Sequence, residues 1–373
     1  MRAFQIAAGL GAGNIGDEFM ARAFWQTLPP DVLLEVPLFP EARRQHEPYP
    51  PPHQYLAVDW DGNENRAASI PGLLVGTTSV TEAEGLHWPL RFLAPRLQHF
   101  HRLGFPVDAA GVGVDRLWNA EALALFHEHF SPIRSWTVRS FDCRDALLAM
   151  DVPAARICVG ADWAWLYRPG RDLGEWAREF WRRLDIDVAR PLLVANVVNM
   201  LWRDALEARR NIASALDDAA RLFGLQIAFF CNECRDGEFF DFEAAREIAG
   251  LMSMPATLVP NEYYSPDEAL AIIGCATVAV AQRYHFIIQA VLAGVPPVEI
   301  LRGQKMKTLA EELGVPIGGS VDHVVRESLT GAIREAIENR SGVLSRMEEA
   351  RCRMRSRAAL NLSFLCASGR FGS

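Results

Sequence analysis

The chain has 373 residues, half of them hydrophobic and 23% charged, a globular composition on a length too great for one compact core. A net charge of −8 and a pI near 5.7 argue against non-specific binding to nucleic acid or to an anionic membrane. Seven cysteines, an odd set without regular spacing, argue against a disulfide scaffold and for a reduced, cytoplasmic protein.

No apolar run reaches the length of a membrane span, and residues 1–9 read as a first β-strand, with no basic start or apolar core of a signal peptide. Strand patterns follow at residues 32–36, 72–75, 107–111, 133–138 and 155–159, with helical patterns between them, the first at 17–26. The proline-rich stretch 48–53 marks an irregular loop. Proline and glycine interrupt the chain at 167–174, after which the alternation restarts. Strands are expected at 192–198, 226–231, 256–259, 276–282 and 297–301. Helices are expected at 205–223, 242–251, 266–274, 286–294 and from 304, and the last fifty residues read as helical. Such alternation implies parallel strands with crossover helices. The expected class is α/β, with two Rossmann-like doubly wound domains facing a cleft. Residues 1–170 form the first domain and 175–345 the second, and 346–373 close the chain as a helical segment packing back on the first.

Arg283-Tyr284-His285 joins a short β-branched run to a longer apolar run that stops at Gly294. The arginine and histidine therefore stand at the carboxyl end of a strand, where a helix begins. Open α/β sheets bind ligands at that edge, and a helix N-terminus adds N–H groups that favour an anion. A phosphate or carboxylate substrate fits there. An arginine paired with a local acid and a histidine capping the helix fit equally.

Gly11, Gly13 and Gly16 follow the first strand and let backbone N–H groups approach a ligand, but no ribose-binding acid completes a dinucleotide fingerprint. Asp17 is placed to cap the following helix. Arg139 stands at the end of strand 133–138, and its planar fork suits a carboxylate. Cys231-Asn-Glu-Cys234 is a lone CxxC, read as two incidental thiols, and no residue set has metal-ligand spacing, so no metal is expected. Most of the ten tryptophans read as core, with Trp163 and Trp165, beside Asp162, the best candidates for a sugar-stacking face.

Four segments together resemble the polysaccharide pyruvyl transferase family. They are Gly13-Asn-Ile-Gly-Asp-Glu18; Thr137-Val-Arg-Ser-Phe-Asp-Cys143 with Val159-Gly-Ala-Asp162; Gln282-Arg-Tyr-His285 with Gly294-Val-Pro296; and Lys305 with Leu313-Gly-Val-Pro316. The resemblance runs from about residue 8 to 316. It departs at Ser140 and Trp163, where the family often has Asp and Pro, and at Gly76-Thr-Thr-Ser79, a reduced glycine-rich segment.

The resemblance implies a GT-B-like fold and transfer of a pyruvyl group, as a ketal, from phosphoenolpyruvate to a sugar of a polysaccharide or glycan precursor. Phosphoenolpyruvate is then the donor substrate and no cofactor is needed. Arg139, Arg283 and Lys305 would hold the donor, with Asn14, Gly13, Gly16 and Asp162 lining the site. Arg139 and Arg283 are expected to face one another. His285 would donate a proton, and Asp17 is the second catalytic candidate. The acceptor is a sugar or lipid-linked glycan, which would bring the protein transiently near a membrane. Two other functions fit: a GT-B glycosyltransferase using a nucleotide sugar, and a catalytically inactive sugar-binding relative.

Overall fold

The computed structural model describes residues 2–7, 14–29, 32–38, 55–59, 72–76, 80–83, 85–199, 205–235 and 240–365. The proline-rich stretch 48–53 and Gly13 lie outside them. The chain divides into two compact units. One comprises Met1–Ala12, Asp17–Arg168 and Arg353–Ser373, and the other Gly13–Gly16 and Pro169–Cys352.

The first unit carries β1 (Arg2–Ala7), β2 (Val32–Leu38), β3 (Tyr55–Asp59), β4 (Gly72–Val75), β5 (Val107–Val112), β6 (Ser135–Val138) and β7 (Ile157–Val159). They form one parallel sheet in the order β3-β2-β1-β4-β5-β6-β7. The second unit carries β8 (Leu192–Asn196), β9 (Gln226–Phe229), β10 (Ala256–Leu258), β11 (Val278–Ala281), β12 (Pro297–Leu301) and β13 (Ile317–Ser320). Its parallel sheet runs β10-β9-β8-β11-β12-β13. Both orders grow outward one way and then reverse, which is the doubly wound pattern that the alternation implied. The reversal falls between β1 and β4 in one sheet and between β8 and β11 in the other, and ligand loops follow such switch-point strands.

The strands are short and apolar because both faces are covered; β4, β5, β8 and β11 are buried along their whole length. The first unit contributes helices α1 (Ile15–Thr27, from Asp17 onward), α2 (Phe92–Arg102), α3 (Ala120–Leu125) and α4 (Phe141–Ala149). Helices α5 (Gly174–Arg183), α6 (Ala205–Phe223), α7 (Asp241–Leu251), α8 (Pro266–Gly274), α9 (Tyr284–Leu292), α10 (Gln304–Leu313) and α11 (Arg326–Glu338) belong to the second, followed by α12 (Arg340–Ala358).

Local chemistry sets their ends. Ser265 and Glu268 form a reciprocal capping box with Pro266 leading α8. Gly294 after α9 and Gly314 after α10 take left-handed φ values of 72° and 65°, where a β-carbon is disfavoured. In the second unit Leu193, Ala195, Val278, Val280, Val298 and Ile300 form one core cluster with residues of α6 and α11, among them Ile212, Leu216, Leu329 and Ile333. Glu299, between two of these inward residues, points to the opposite face of the strand and is fully buried there.

Two strands lie where no strand was expected. β3 is an edge strand that follows the proline-rich stretch. β13, Ile-Gly-Gly-Ser, lacks any β-branched run and exists through its pairing with β12. The strand expected from residue 133 begins at Ser135, because Ile133 still closes a turn on the Phe130 carbonyl. Among the described residues no helix is long and apolar enough to cross a membrane.

Candidate functional site

The switch point of the second unit assembles a polar corner. Gln282 follows β11, donates its backbone N–H to the Asn196 carbonyl at the end of β8, and accepts the Val198 N–H on its side chain at 2.7 Å. The two loops that flank the switch point are thereby tied together. Arg283 comes next as the N-cap residue of α9, in extended conformation. The Arg283 side chain makes no capping bond to the first turn of α9, which has no acidic residue. The leading N–H groups and the Arg283 guanidinium are the groups at this corner that favour an anion.

Asp241, the first residue of α7, is fully buried and organises the corner. Its Oδ1 accepts Arg283 Nε at 3.0 Å and Nη2 at 2.6 Å. Its Oδ2 accepts Asn196 Nδ2 at 3.1 Å and the backbone N–H groups of Asn232 and Glu233 at 3.1 and 3.2 Å. A buried carboxylate is tolerated only with such compensation. Arg283 thus has a local acid as partner, one of the two roles its position allowed, while its side chain keeps 20% of its surface exposed.

The N-terminal motif meets the same corner. Asn14 pairs with Glu233 in an isolated antiparallel bridge, and Ile15 donates its N–H to the Asn232 carbonyl at 2.8 Å. Asn14 Oδ1 accepts the Gly16 N–H at 2.8 Å and Asn232 Nδ2 at 3.4 Å, and Gln289 of α9 donates to Asn232 Oδ1 at 2.9 Å. A β-carbon on Gly16 would stand 2.5 Å from His285 Nδ1. Asn14, Gly16, Arg283 and His285 are therefore brought together within the second unit.

A second polar cluster lies in the first unit. Arg139 follows β6 and is buried, with Nη1 3.5 Å from Asp162 Oδ2. Asp162 Oδ1 caps the turn after β7 by accepting the Ala164 N–H at 2.9 Å. Gly113 makes room for the guanidinium, since a β-carbon there would lie 2.4 Å from Arg139 Cζ. Ser140 caps α4 by accepting the Cys143 N–H. Asn361, after α12, donates to the Ala161 carbonyl at 2.8 Å, and Arg357, in the last turn of α12, to that of Gly160 at 3.0 Å, bracing the segment that carries Asp162.

Solved structures align along the whole chain. Anabaena Alr3699/HepE in complex with UDP-glucose is 10% identical, with 99% of each chain covered and a TM-score of 0.65. UDP-GlcNAc 2-epimerase from Neisseria meningitidis bound to UDP-GlcNAc is 10% identical, with 98% of this chain and 100% of that one covered and a TM-score of 0.64. A ugt transferase from Siraitia grosvenorii in complex with UDP is 11% identical, with 99% of each chain covered and a TM-score of 0.59. The fold is GT-B-like. Identity this low carries the fold alone, and these neighbours do not show the pyruvyl transferase family. No family model matches the sequence, and no curated protein does.

The remaining expected residues are scattered. Asp17 is half-buried in the first turn of α1, and Lys305 is exposed in the first turn of α10. Trp163 and Trp165 are corrected to core residues: both are buried, and Trp163 Nε1 donates to the Ala110 carbonyl at 2.8 Å, so neither offers a face to a sugar. Burial pushes the Cys231 and Cys234 thiols up, with the Asp241 carboxylate adding to the effect, so neither is thiolate-like near neutral pH. The two residues between those cysteines are the ones that build the site. Asn232, Asp241, Asn196 and Gln289 carried no sequence signal, because each reads alone as an ordinary cap or core amide.

Proposed function

We propose that this chain is a transferase of glycan assembly whose second unit binds a phosphate-bearing donor at the N-terminus of α9. The observation that carries the reading is Arg283, fixed by Asp241 at the N-terminus of α9 at the β8–β11 switch point, with His285 two residues on. Arg139, with Asp162 beside it, is proposed as the anion-binding cation of the first unit. Lys305 and Asp17 stand as further candidates for donor contact and proton transfer.

Two donors suit that corner. The UDP and UDP-sugar complexes of the structural neighbours support a nucleotide sugar. Phosphoenolpyruvate is supported by the four-segment resemblance of the sequence. Asp241 already accepts five hydrogen bonds, and Glu233 is paired with Arg235 at 2.8 Å. Both carboxylates thus already have partners within the second unit. We adopt phosphoenolpyruvate, because it rests on residues of this chain, whereas the likeness at 10–11% identity rests on the fold.

In that reaction His285 gives a proton to the methylene carbon of the donor while the central carbon becomes oxocarbenium-like. Two acceptor hydroxyls bond to that carbon, and the C–O bond to phosphate breaks. One hydroxyl proton restores His285, and the other leaves with phosphate. No cofactor is proposed. The test is phosphate release from phosphoenolpyruvate in the presence of sugar acceptors, by wild type and His285→Gln. Release of UDP from a UDP-sugar, with no phosphate release, would replace this reading with the glycosyltransferase.

A further inference from the structure

We infer that Asp241 is the positioning residue for donor binding, setting the direction in which Arg283 presents its guanidinium. This inference rests on the donor-binding reading of Arg283 above.

Three features separate Asp241 from an ordinary buried acid. First, it takes both Nε and Nη2 of Arg283 on a single oxygen, Oδ1, which fixes the plane of the guanidinium as well as its place. Second, the other oxygen gathers three donors from two separate elements: Asn196 at the end of β8, and the Asn232 and Glu233 N–H groups after β9. Asp241 therefore joins the strand ends on one side of the switch point to the arginine on the other. Third, the loop it holds also seats His285. Asn232 binds the Ile15 N–H, Gln289 and Asn14, and Asn14 in turn binds the N–H of Gly16, against which the imidazole lies. A shift at Asp241 would move the donor cation directly and the proton donor through one loop.

A fold staple would behave differently from a positioning residue, and a double-mutant cycle separates them. Binding of phosphoenolpyruvate and of UDP to the full chain is measured by calorimetry for wild type, Arg283→Ala, Asp241→Asn and the double variant. For whichever probe binds wild type, Asp241→Asn alone should weaken binding about tenfold or more. In the Arg283→Ala background the same change should cost less than about threefold, since the group it positions is gone. With phosphoenolpyruvate and a competent acceptor, the donor KM should rise more than kcat falls. Where Asp241→Asn does not fold, Asp241→Glu keeps the charge but displaces the carboxylate by one methylene, and should weaken binding in the same Arg283-dependent way. Equal losses in both backgrounds would overturn the inference and make Asp241 a staple. So would unchanged binding in Asp241→Asn when Arg283→Ala is impaired, which leaves the donor reading standing. Unchanged binding in Arg283→Ala would overturn both.

Discussion

Gly16 and His285 are in contact so close that a single methyl group would not fit between them. A β-carbon on Gly16 would stand 2.5 Å from the imidazole Nδ1 and 2.6 Å from the His285 β-carbon. Gly16 lies inside α1 at ordinary helical geometry, so the glycine answers a packing need and not a backbone one. Gly16→Ala should therefore fold, at an overpacking cost of about 1–3 kcal/mol. It should lose turnover by roughly 10²-fold, the usual effect of displacing a reacting group by about 1 Å. Kinetics at saturating donor, alongside a melting curve, check this. Full turnover in Gly16→Ala would mean that the seat of His285 does not matter.

Arg283→Ala removes the guanidinium that Asp241 holds at the α9 N-terminus. It should weaken donor binding by about 2–5 kcal/mol, the range for breaking one side of a buried hydrogen-bonded charge pair. The penalty on Asp241, which keeps its three other donors but loses its cation, falls on folding stability in the free and bound protein alike and not on donor binding. Calorimetric titration of the variant measures the effect directly.

His285→Ala should keep measurable donor binding and lose turnover by roughly 10²–10⁴-fold, the usual share of general acid catalysis. His285→Gln should match it, because an amide can hydrogen-bond there but cannot deliver a proton. Single-turnover assays with both variants separate the binding and chemical steps. Full activity in His285→Gln would move the proton-transfer role to another group, with Asp17 and Asp162 next in line.

Much of this was legible in the sequence, for physical reasons that also explain the failures. Strand and helix periods are local, so α6 and α8 begin and end where the pattern places them, and the Arg-x-His segment falls at a strand end. The Arg283–Asp241 pair is not local: it joins residues 42 apart through the sheet order, which no periodicity encodes. Cys231 and Cys234 drew attention as thiols, whereas the bonding is done by Asn232 and Glu233 between them. Trp163 and Trp165 stand beside a motif aspartate, yet their large apolar area is spent in the core. β13 escaped notice because its two glycines carry no strand preference of their own.

Glu299 offers a test of the second unit's packing by pH. Burial holds its carboxyl well above the ordinary 4.5, and neither oxygen has a hydrogen-bond partner. Above that ordinary value the unfolded chain releases this proton while the folded chain retains it. Stability therefore falls as pH rises from about 4.5 toward the raised folded value, by up to about 1.4 kcal/mol per pH unit. Glu299→Gln does not titrate, so its stability advantage over wild type should widen from acid to neutral pH. Denaturant unfolding of both proteins at several pH values measures the difference, and a constant difference would contradict the placement of Glu299.

In the function we propose, a phosphate-bearing donor, phosphoenolpyruvate, is bound through Arg283. Thermal unfolding of wild type and Arg283→Ala is followed with phosphoenolpyruvate, UDP, UDP-glucose and UDP-GlcNAc at equal excess. Phosphoenolpyruvate should stabilise wild type, by about 2.7 kcal/mol at a hundredfold excess over Kd, and Arg283→Ala should lose most of this effect. Stabilisation of wild type by a uridine nucleotide and not by phosphoenolpyruvate would contradict the donor, and phosphoenolpyruvate stabilisation that survives in Arg283→Ala would contradict the site.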